Sequence, residues 1–247
     1  MSIFKTRAIV LKSQDYKEND KILWLFSEKL GKISCIARGA KRKRSKLASF
    51  TQQFCYGEYI IYKGKSLYTI NEIELIDSFQ TFLNDLDSIT YASYLCELIM
   101  IALTEQESNR ALFQDFVKAF YLIKSEAIDF EMIARAFEIK ILKHTGYGMN
   151  FNSCCICNNR MSSTNKFSLK YYGGICKNCN DMNYVNISNG AFNLLRFLNR
   201  TEIENVHRVT LSKELKKEIY SLLNALICQS YSKRPKSLDI FKYLKEE

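Results

Sequence analysis

Four cysteines in two closely spaced pairs are the residues of this sequence best suited to chemistry. Two residues separate Cys154 from Cys157 and Cys176 from Cys179, and 18 residues lie between the two pairs. Thiolates at this spacing typically surround one tetrahedral Zn²⁺, and four protein ligands leave no coordination position for water or a substrate. The spacing therefore predicts a structural zinc site rather than a catalytic one.

Disulfide bonds are the alternative interpretation of these cysteines. The total of nine cysteines is odd, and the N-terminal sequence lacks the apolar segment of a secretory signal peptide. Both observations favour a reducing, cytoplasmic location in which thiols stay unpaired. Cys155 lies inside the first pair, but its separation from Cys157 is wrong for a ligand pair of this type.

Positive charge is concentrated near the N-terminus. The formal net charge is +10, and residues 1–50 contain 13 Lys or Arg against 4 Asp or Glu. Such residues attract phosphates through Coulomb forces and counterion release, and arginine donates paired hydrogen bonds to phosphate oxygens. A solvated charge run or a localisation signal is the alternative. Six cations close together in sequence are predicted to form a phosphate-binding loop: Arg38, Lys41, Arg42, Lys43, Arg44 and Lys46.

Aromatic residues follow this basic run closely along the chain. Aromatic faces beside a cationic groove are typical of proteins that hold unpaired bases, although strands also favour aromatic residues for packing. The pattern predicts a stacking surface for bases, with a buried position in the barrel as the alternative. The residues concerned are Phe50, Phe54, Tyr56, Tyr59 and Tyr62.

Two catalytic motifs are incomplete in this sequence. The two histidines, His144 and His207, are far apart in sequence and lack the His-x-Glu pattern of a zinc deaminase. The Gly64–Ser66 segment lacks the first glycine of a phosphate-binding P-loop. Three carboxylates flank the first predicted loop, and we expect them to be solvated there: Asp15, Glu18 and Asp20. The residues therefore predict a binding protein and not an enzyme.

The first 80 residues have the short, β-rich segments and turn signals of an all-β domain. Five such segments in this length predict a small closed barrel such as the OB-fold, and an SH3-like sheet is the alternative. The predicted strands comprise residues 6–11, 21–26, 33–37, 59–62 and 67–75.

From about residue 80 the apolar residues recur with helical spacing, which predicts a helical domain whose stripes form its core. The predicted organisation is an α+β multidomain chain. It has an OB-fold nucleic-acid-binding domain over residues 1–79 and an all-α domain over residues 80–247, with a zinc-binding insertion over residues 150–184. The longest apolar run, Leu98–Leu103, is too short to span a bilayer, so no membrane association is expected.

Several short segments occur in a characteristic order and spacing along nearly the whole chain. They are Ala8–Leu11, Asp15–Tyr16 with Glu18 and Asp20, Leu25–Ser27, Gly31–Ile33, Ala37–Lys41, Ser45–Leu47, and the cysteine quartet with Phe167–Ser168 and Gly173–Cys176. Together these segments resemble the RecO family of bacterial DNA repair proteins, which mediate recombination.

This resemblance implies a protein that binds single- and double-stranded DNA and anneals complementary strands without catalytic turnover. It implies RecR as a partner, contact with the C-terminal tail of single-strand-binding protein, and indirect action on RecA, which is loaded onto covered strands. It also implies a cytoplasmic, nucleoid-associated location and a structural Zn²⁺. The family's DNA-contact and zinc positions map onto the six cations and four cysteines named above.

Two other functions remain open from the residues. One is an OB-fold RNA-binding protein with a structural zinc site, and the other is a zinc-dependent enzyme acting on nucleotides. A second set of basic residues is a candidate partner surface, although a solvated helix face explains it more simply: Lys213, Lys216, Lys217, Lys233, Arg234 and Lys236.

Overall fold

A computed structural model describes residues 2–64, 67–208 and 212–239 of the chain. It divides the chain into two compact units. The first contains residues 1–126 with the segment that begins at Pro235, and the second contains residues 127–234. The sequence also predicts a hairpin turn that includes Lys65 and Ser66 and a last helical turn that includes Phe241 and Leu244, and these four residues lie outside the described ones.

Five strands of the first unit form a closed barrel in the order β1-β2-β3-β5-β4. Antiparallel pairing joins all neighbours except β3 and β5, which run parallel with Cys35 opposite Tyr68. This strand order confirms the predicted OB-fold. The strands are β1 (Ile3–Tyr16), β2 (Asp20–Ser27), β3 (Gly31–Ala37), β4 (Tyr56–Lys63) and β5 (Tyr68–Asp77).

The length of β1 allows the barrel to close. Its first half pairs with β4 and its second half with β2, with a register irregularity between Val10 and Lys12. Such a bulge increases the local twist and lets one strand serve two sides of a barrel. Side chains then alternate, so that Leu23 and Leu25 are fully buried inside while Trp24 lies on the outer face.

Two helices, α1 (Leu86–Ala102) and α2 (Arg110–Ser125), belong to the same compact unit as the barrel. Phe26 on the outer face of β2 packs edge-on against Phe113 and Phe116 of α2, with ring centroids 5.3 and 5.7 Å apart. These edge-to-face contacts bury one part of the barrel's outer surface. The predicted helical stripes are therefore core in this unit.

The second unit contains three helices and a small sheet. The helices are α3 (Phe130–His144), α4 (Asn189–Arg200) and α5 (Lys213–Tyr231), and the strands are β6 (Lys166–Ser168), β7 (Gly173–Gly174) and β8 (Tyr184–Asn186). The Ser212 side chain accepts a hydrogen bond from the Leu215 N–H and so caps the N-terminus of α5. In the described part of the chain, no helix is sufficiently long and apolar to cross a membrane.

Candidate nucleic-acid interface and metal centre

The basic loop, defined as residues 38–48, leaves the end of β3 and leads into a short 3₁₀ helix at Ser49–Thr51. Gly39 has a φ of +67°, a backbone conformation that glycine adopts without steric cost. Its N–H donates a hydrogen bond of 2.8 Å to Asp20 Oδ1 at the start of β2. Gly39 therefore redirects the chain at the end of β3, and its hydrogen bond to Asp20 attaches the loop to β2.

A second pair of contacts holds the loop against the β1–β2 turn. The Lys41 N–H donates to the Asn19 carbonyl at 3.0 Å, and Lys41 Nζ lies 2.7 Å from Asp15 Oδ2. This hydrogen bond from Lys41 lowers the pKa of the Asp15 carboxyl group. The prediction that Asp20 is merely solvated was therefore wrong, whereas Asp15 is exposed as predicted and also pairs with Lys41. The contact of Asp20 with the loop could have been predicted from the order of the strands. An antiparallel β1-β2-β3 meander places the end of β3 beside the β1–β2 turn.

The loop also has an apolar underside. Ala40 is buried in the barrel core, and the partly buried Leu47 and Phe50 pack against the same core. Successive turns carry the backbone between these points, with hydrogen bonds from Arg42 N–H to the Gly39 carbonyl and from Ser45 N–H to the Arg42 carbonyl. The loop is therefore a series of hydrogen-bonded turns that an apolar underside holds against the barrel.

All six predicted DNA-binding cations are exposed on the outer side of this loop. Lys41 makes the one ion pair among them; within the described residues, no carboxylate pairs with the other five. Those five remain available to an anion: Arg38, Arg42, Lys43, Arg44 and Lys46. Unneutralised cations on a fixed backbone produce the local positive potential that attracts a polyanion.

Three of the predicted stacking aromatics are buried, so the stacking hypothesis was wrong for them. Phe54 is 1% exposed and packs edge-on against Phe82 and Phe120, with centroids 5.8 and 5.9 Å apart. Tyr59 is fully buried inside the barrel, and Tyr56 is 6% exposed. The general preference of strands for aromatic residues explains these positions.

Trp24 provides an open aromatic ring on the barrel instead. It is partly exposed on the outer face of β2, and Lys12 Nζ lies over its ring, 5.1 Å from the centroid. The strand register places Lys12 and Ser34 beside it. The sequence contained this signal, because strict alternation with the buried Leu23 and Leu25 directs Trp24 outward.

The four cysteines of the two pairs form one cluster in the second unit, with their sulfur atoms within 4.8 Å of one another. Cys157 Sγ and Cys176 Sγ are 3.7 Å apart. A tetrahedral site with metal–sulfur bonds of about 2.3 Å has sulfur–sulfur edges of about 3.8 Å. The cluster therefore has the dimensions and the soft donor set to hold a metal ion.

Backbone N–H groups prepare this cluster for a cation. Burial opposes ionisation of Cys154, but the N–H groups of Cys176, Cys157 and Ile156 lower the pKa of its thiol to about 6. Hydrogen bonding to Cys157 and Cys176 raises the pKa of Cys179 to about 12. A bound cation would favour the thiolate form at every position, since the thiolate is the metal ligand.

Short hydrogen-bonded turns and a small aromatic core position the sulfurs. The Asn158 N–H donates to the Cys154 carbonyl at 3.0 Å, and the Cys179 N–H donates to the Cys176 carbonyl at 3.3 Å. Phe151, Phe167 and Phe192 pack together beneath the cysteine turns. Cys155 lies outside the cluster, with its thiol 3.6 Å from the Gly173 carbonyl oxygen.

Two family models together cover nearly the whole chain. The model described as Recombination protein O N terminal matches residues 1–79, and the one described as Recombination protein O C terminal matches residues 83–239. The chain belongs to the RecO family. The match agrees with the resemblance predicted from the sequence, and it includes both the basic loop and the cysteine cluster.

Relatives in other bacteria are similar over their full length. The DNA repair protein RecO of Clostridium novyi is 57% identical over 99% of this chain and 96% of the relative. That of Clostridium acetobutylicum is 51% identical over the whole of both chains, and that of Acetivibrio thermocellus is 31% identical over 99% and 98%. Membership in this family confirms the prediction of a recombination and repair protein that is not an enzyme.

The contact between Asp20 and Gly39 yields a stability prediction. Replacing Asp20 with alanine leaves the partly buried Gly39 N–H without its acceptor, which we expect to lower the free energy of unfolding by about 1–2 kcal/mol. Urea unfolding followed by the fluorescence of the single tryptophan measures this change.

Asp20→Asn is the matched control, because its amide oxygen still accepts the hydrogen bond. We expect this variant to unfold within about 0.5 kcal/mol of the wild type. Equal losses in the two variants, or no loss in the alanine variant, would show that this bond does not hold the basic loop.

Proposed function

We propose that this RecO-family protein binds single- and double-stranded DNA through its basic loop and anneals complementary strands without catalytic turnover. The observation that carries the proposal is the basic loop itself. Its backbone is fixed by Asp20 and Ala40, and five of its six cations have no carboxylate partner among the described residues. Cations that are held in place but unneutralised bind phosphates without first losing an internal partner.

The proposed mechanism is electrostatic. Two DNA strands repel each other as they approach, and cations that contact their phosphates reduce this repulsion. The loop's arginines also donate paired hydrogen bonds to phosphate oxygens. Trp24 lies along β2 four residues from Asp20, or about 13 Å in an extended strand. A strand held by the basic loop therefore has an aromatic ring nearby on which an unpaired base stacks.

Family membership supports a wider role in recombination. In this proposal the protein acts in the cytoplasm at the nucleoid, together with RecR and the C-terminal tail of single-strand-binding protein. It assists the loading of RecA onto strands that single-strand-binding protein covers. A protein that holds DNA without chemistry suits this role, because the outcome is an exchange of binding partners on one strand.

We also propose that the metal held by the cysteine cluster is Zn²⁺. Four thiolates in a tetrahedral arrangement are a donor set that Zn²⁺ prefers, and they leave no open position for catalysis. Cys154, Cys157, Cys176 and Cys179 would hold the ion, which would supply cross-linking of the two cysteine turns. The chain around the cluster contains little regular structure, so the ion contributes directly to folding there.

The basic loop gives a direct test. Replacing Arg42, Lys43 and Arg44 with alanine should lower the affinity for a single-stranded oligonucleotide at least about tenfold at moderate salt. The slope of log K against log salt should become shallower by about 2, if each residue contacts one phosphate. Fluorescence anisotropy titrations over a series of salt concentrations measure both quantities.

The matched control replaces three exposed cations of the second unit with alanine, and so removes the same charge: Lys213, Lys217 and Lys233. We expect this control to retain its affinity within about twofold, because long-range contributions are screened at moderate salt. If the two triple variants bind alike, net charge rather than the loop explains binding, and the proposal fails.

Trp24 gives a test of base stacking. Its fluorescence should be quenched when single-stranded DNA binds, and it reports alone because the chain has one tryptophan. Trp24→Ala should weaken single-strand binding by about 1–3 kcal/mol, whereas Trp24→Phe retains a ring and most of the affinity. Double-stranded DNA should be affected less, because its bases stack on one another. Equal binding by the alanine and phenylalanine variants would exclude stacking.

Metal analysis tests the zinc site. The purified protein should contain about one zinc per chain, and Cys157→Ser should reduce this content to near zero. Cys155→Ser should keep the metal, because Cys155 lies outside the cluster. Loss of zinc from the Cys155 variant alone, or another metal in the purified wild type, would contradict the assignment.

A further inference from the structure

A groove of about 800 Å³ lies beside the cysteine cluster, within the second unit. Its walls carry two guanidinium groups and four hydroxyl or amide side chains, and no carboxylate among the described residues. The lining residues are Asn152, Ser153, Asn158, Arg160, Met161, Ser162 and Arg196. This groove is not apparent from the sequence, because its residues come from two segments more than 30 positions apart.

The first cysteine turn forms one wall of the groove. Its two arms are joined by hydrogen bonds from the Cys154 N–H to the Asn159 carbonyl and from the Met161 N–H to the Asn152 carbonyl, at 2.9 and 3.0 Å. Between these bonds, Ser153 and Arg160 face each other in an antiparallel bridge. The backbone that carries Arg160 is therefore fixed on both sides.

Helix α4 forms the other wall. Arg196 donates from Nη1 to the Ser162 carbonyl oxygen at 3.1 Å, which directs its guanidinium toward the cysteine turn. One turn further along α4, Arg200 donates to Asn152 Oδ1. Two arginines of one helix are thus tied to the two arms of the cysteine turn, and Arg196 still has donors to spare.

The charge in this groove is not balanced locally. Arg160 is exposed, and within the described residues its guanidinium makes no ion pair or hydrogen bond. Arg196 makes its bond to a neutral carbonyl, so neither arginine is neutralised. Two like charges beside one cleft repel each other, and an anion bound between them relieves this repulsion.

We infer that this arginine groove, centred on Arg160 and Arg196, binds backbone phosphates of a second nucleic-acid strand. The inference rests on the proposed annealing function, which requires two strands to be held. A phosphate fits the site because guanidinium forks and amide N–H groups are its preferred donors. The lining contains one apolar side chain, Met161, so it offers little to the hydrophobic anchor of an acidic peptide.

In this proposal the two units bind different strands. The basic loop of the first unit holds one strand, and the arginine groove of the second unit holds phosphates of the other. Fewer cations line the groove than the loop, so the groove should bind more weakly and with a smaller dependence on salt. Loss of the groove should therefore impair annealing more than it impairs binding of a single oligonucleotide.

The test is the double variant Arg160→Ala/Arg196→Ala in the full-length, metal-containing protein. Lys170→Ala/Lys217→Ala is the matched control, because it removes two exposed cations of the same unit outside the groove. Two quantities are measured for each protein: the number of oligonucleotides of about 10 nucleotides that bind per chain at low salt, and the rate of annealing of complementary strands. Circular dichroism and zinc content verify the fold of each variant.

We expect the wild type and the control to bind two short oligonucleotides and the groove variant to bind one, with affinity for the first changed less than about twofold. Annealing by the groove variant should fall at least about fivefold. Unchanged stoichiometry and annealing in this variant, with the basic-loop variant still impaired, would overturn the groove assignment and leave the proposed function intact. A wild type that binds no DNA would overturn the proposed function itself.

A further measurement separates nucleic acid from protein as the ligand. A labelled acidic peptide is titrated into the wild type and into the groove variant under the same conditions. If the groove variant loses peptide binding but anneals DNA normally, the site recognises an acidic protein segment, and the assignment to nucleic acid is wrong.

Discussion

Closure of the barrel is the constraint on which the placement of the basic loop depends. Parallel pairing of β3 with β5 completes the ring of strands and fixes the direction in which the chain leaves Ala37. Because β1, β2 and β3 form an antiparallel meander, the end of β3 lies beside the β1–β2 turn. A loop of like charges would otherwise spread apart through its own repulsion, and the barrel provides it with a rigid edge.

Two carboxylates help to order the backbone of the cationic loop. Asp20 accepts a backbone N–H from the basic loop, so it orders the chain without neutralising any side chain there. Asp15 does pair with a cation, Lys41, but the other five cations of the loop remain without such partners among the described residues. The ion pair with Asp15 therefore lowers the positive potential of the loop slightly, while the contacts with Asp15 and Asp20 fix its backbone. In the proposed binding of DNA this would be an advantage, because a loop that became ordered only on contact with DNA would lose conformational entropy.

The cysteine cluster has a comparable structural role in the second unit. A few short strands and the rings of Phe151, Phe167 and Phe192 form a core too small to hold the cysteine turns by apolar burial alone. A metal ion bound by the four cysteines would supply the missing free energy and would fix the turn that carries Arg160. Arg160 and Arg196 lie where this turn meets α4, without a carboxylate partner among the described residues.

The sequence determined what depends on local spacing: the barrel, the helical segments, the four clustered cysteines and the exposed run from Arg38 to Lys46. Cysteine spacing and charge density survive folding, because neighbours in the chain stay neighbours in space. Tertiary structure alone decided that Phe54 and Tyr59 are buried, and that helix α2 covers Phe26 but not Trp24 on the same face of β2. It also decided that Asp20 accepts a hydrogen bond from Gly39 and that Arg160 lies beside Arg196. Contacts between distant segments arise only when strands pair and helices pack.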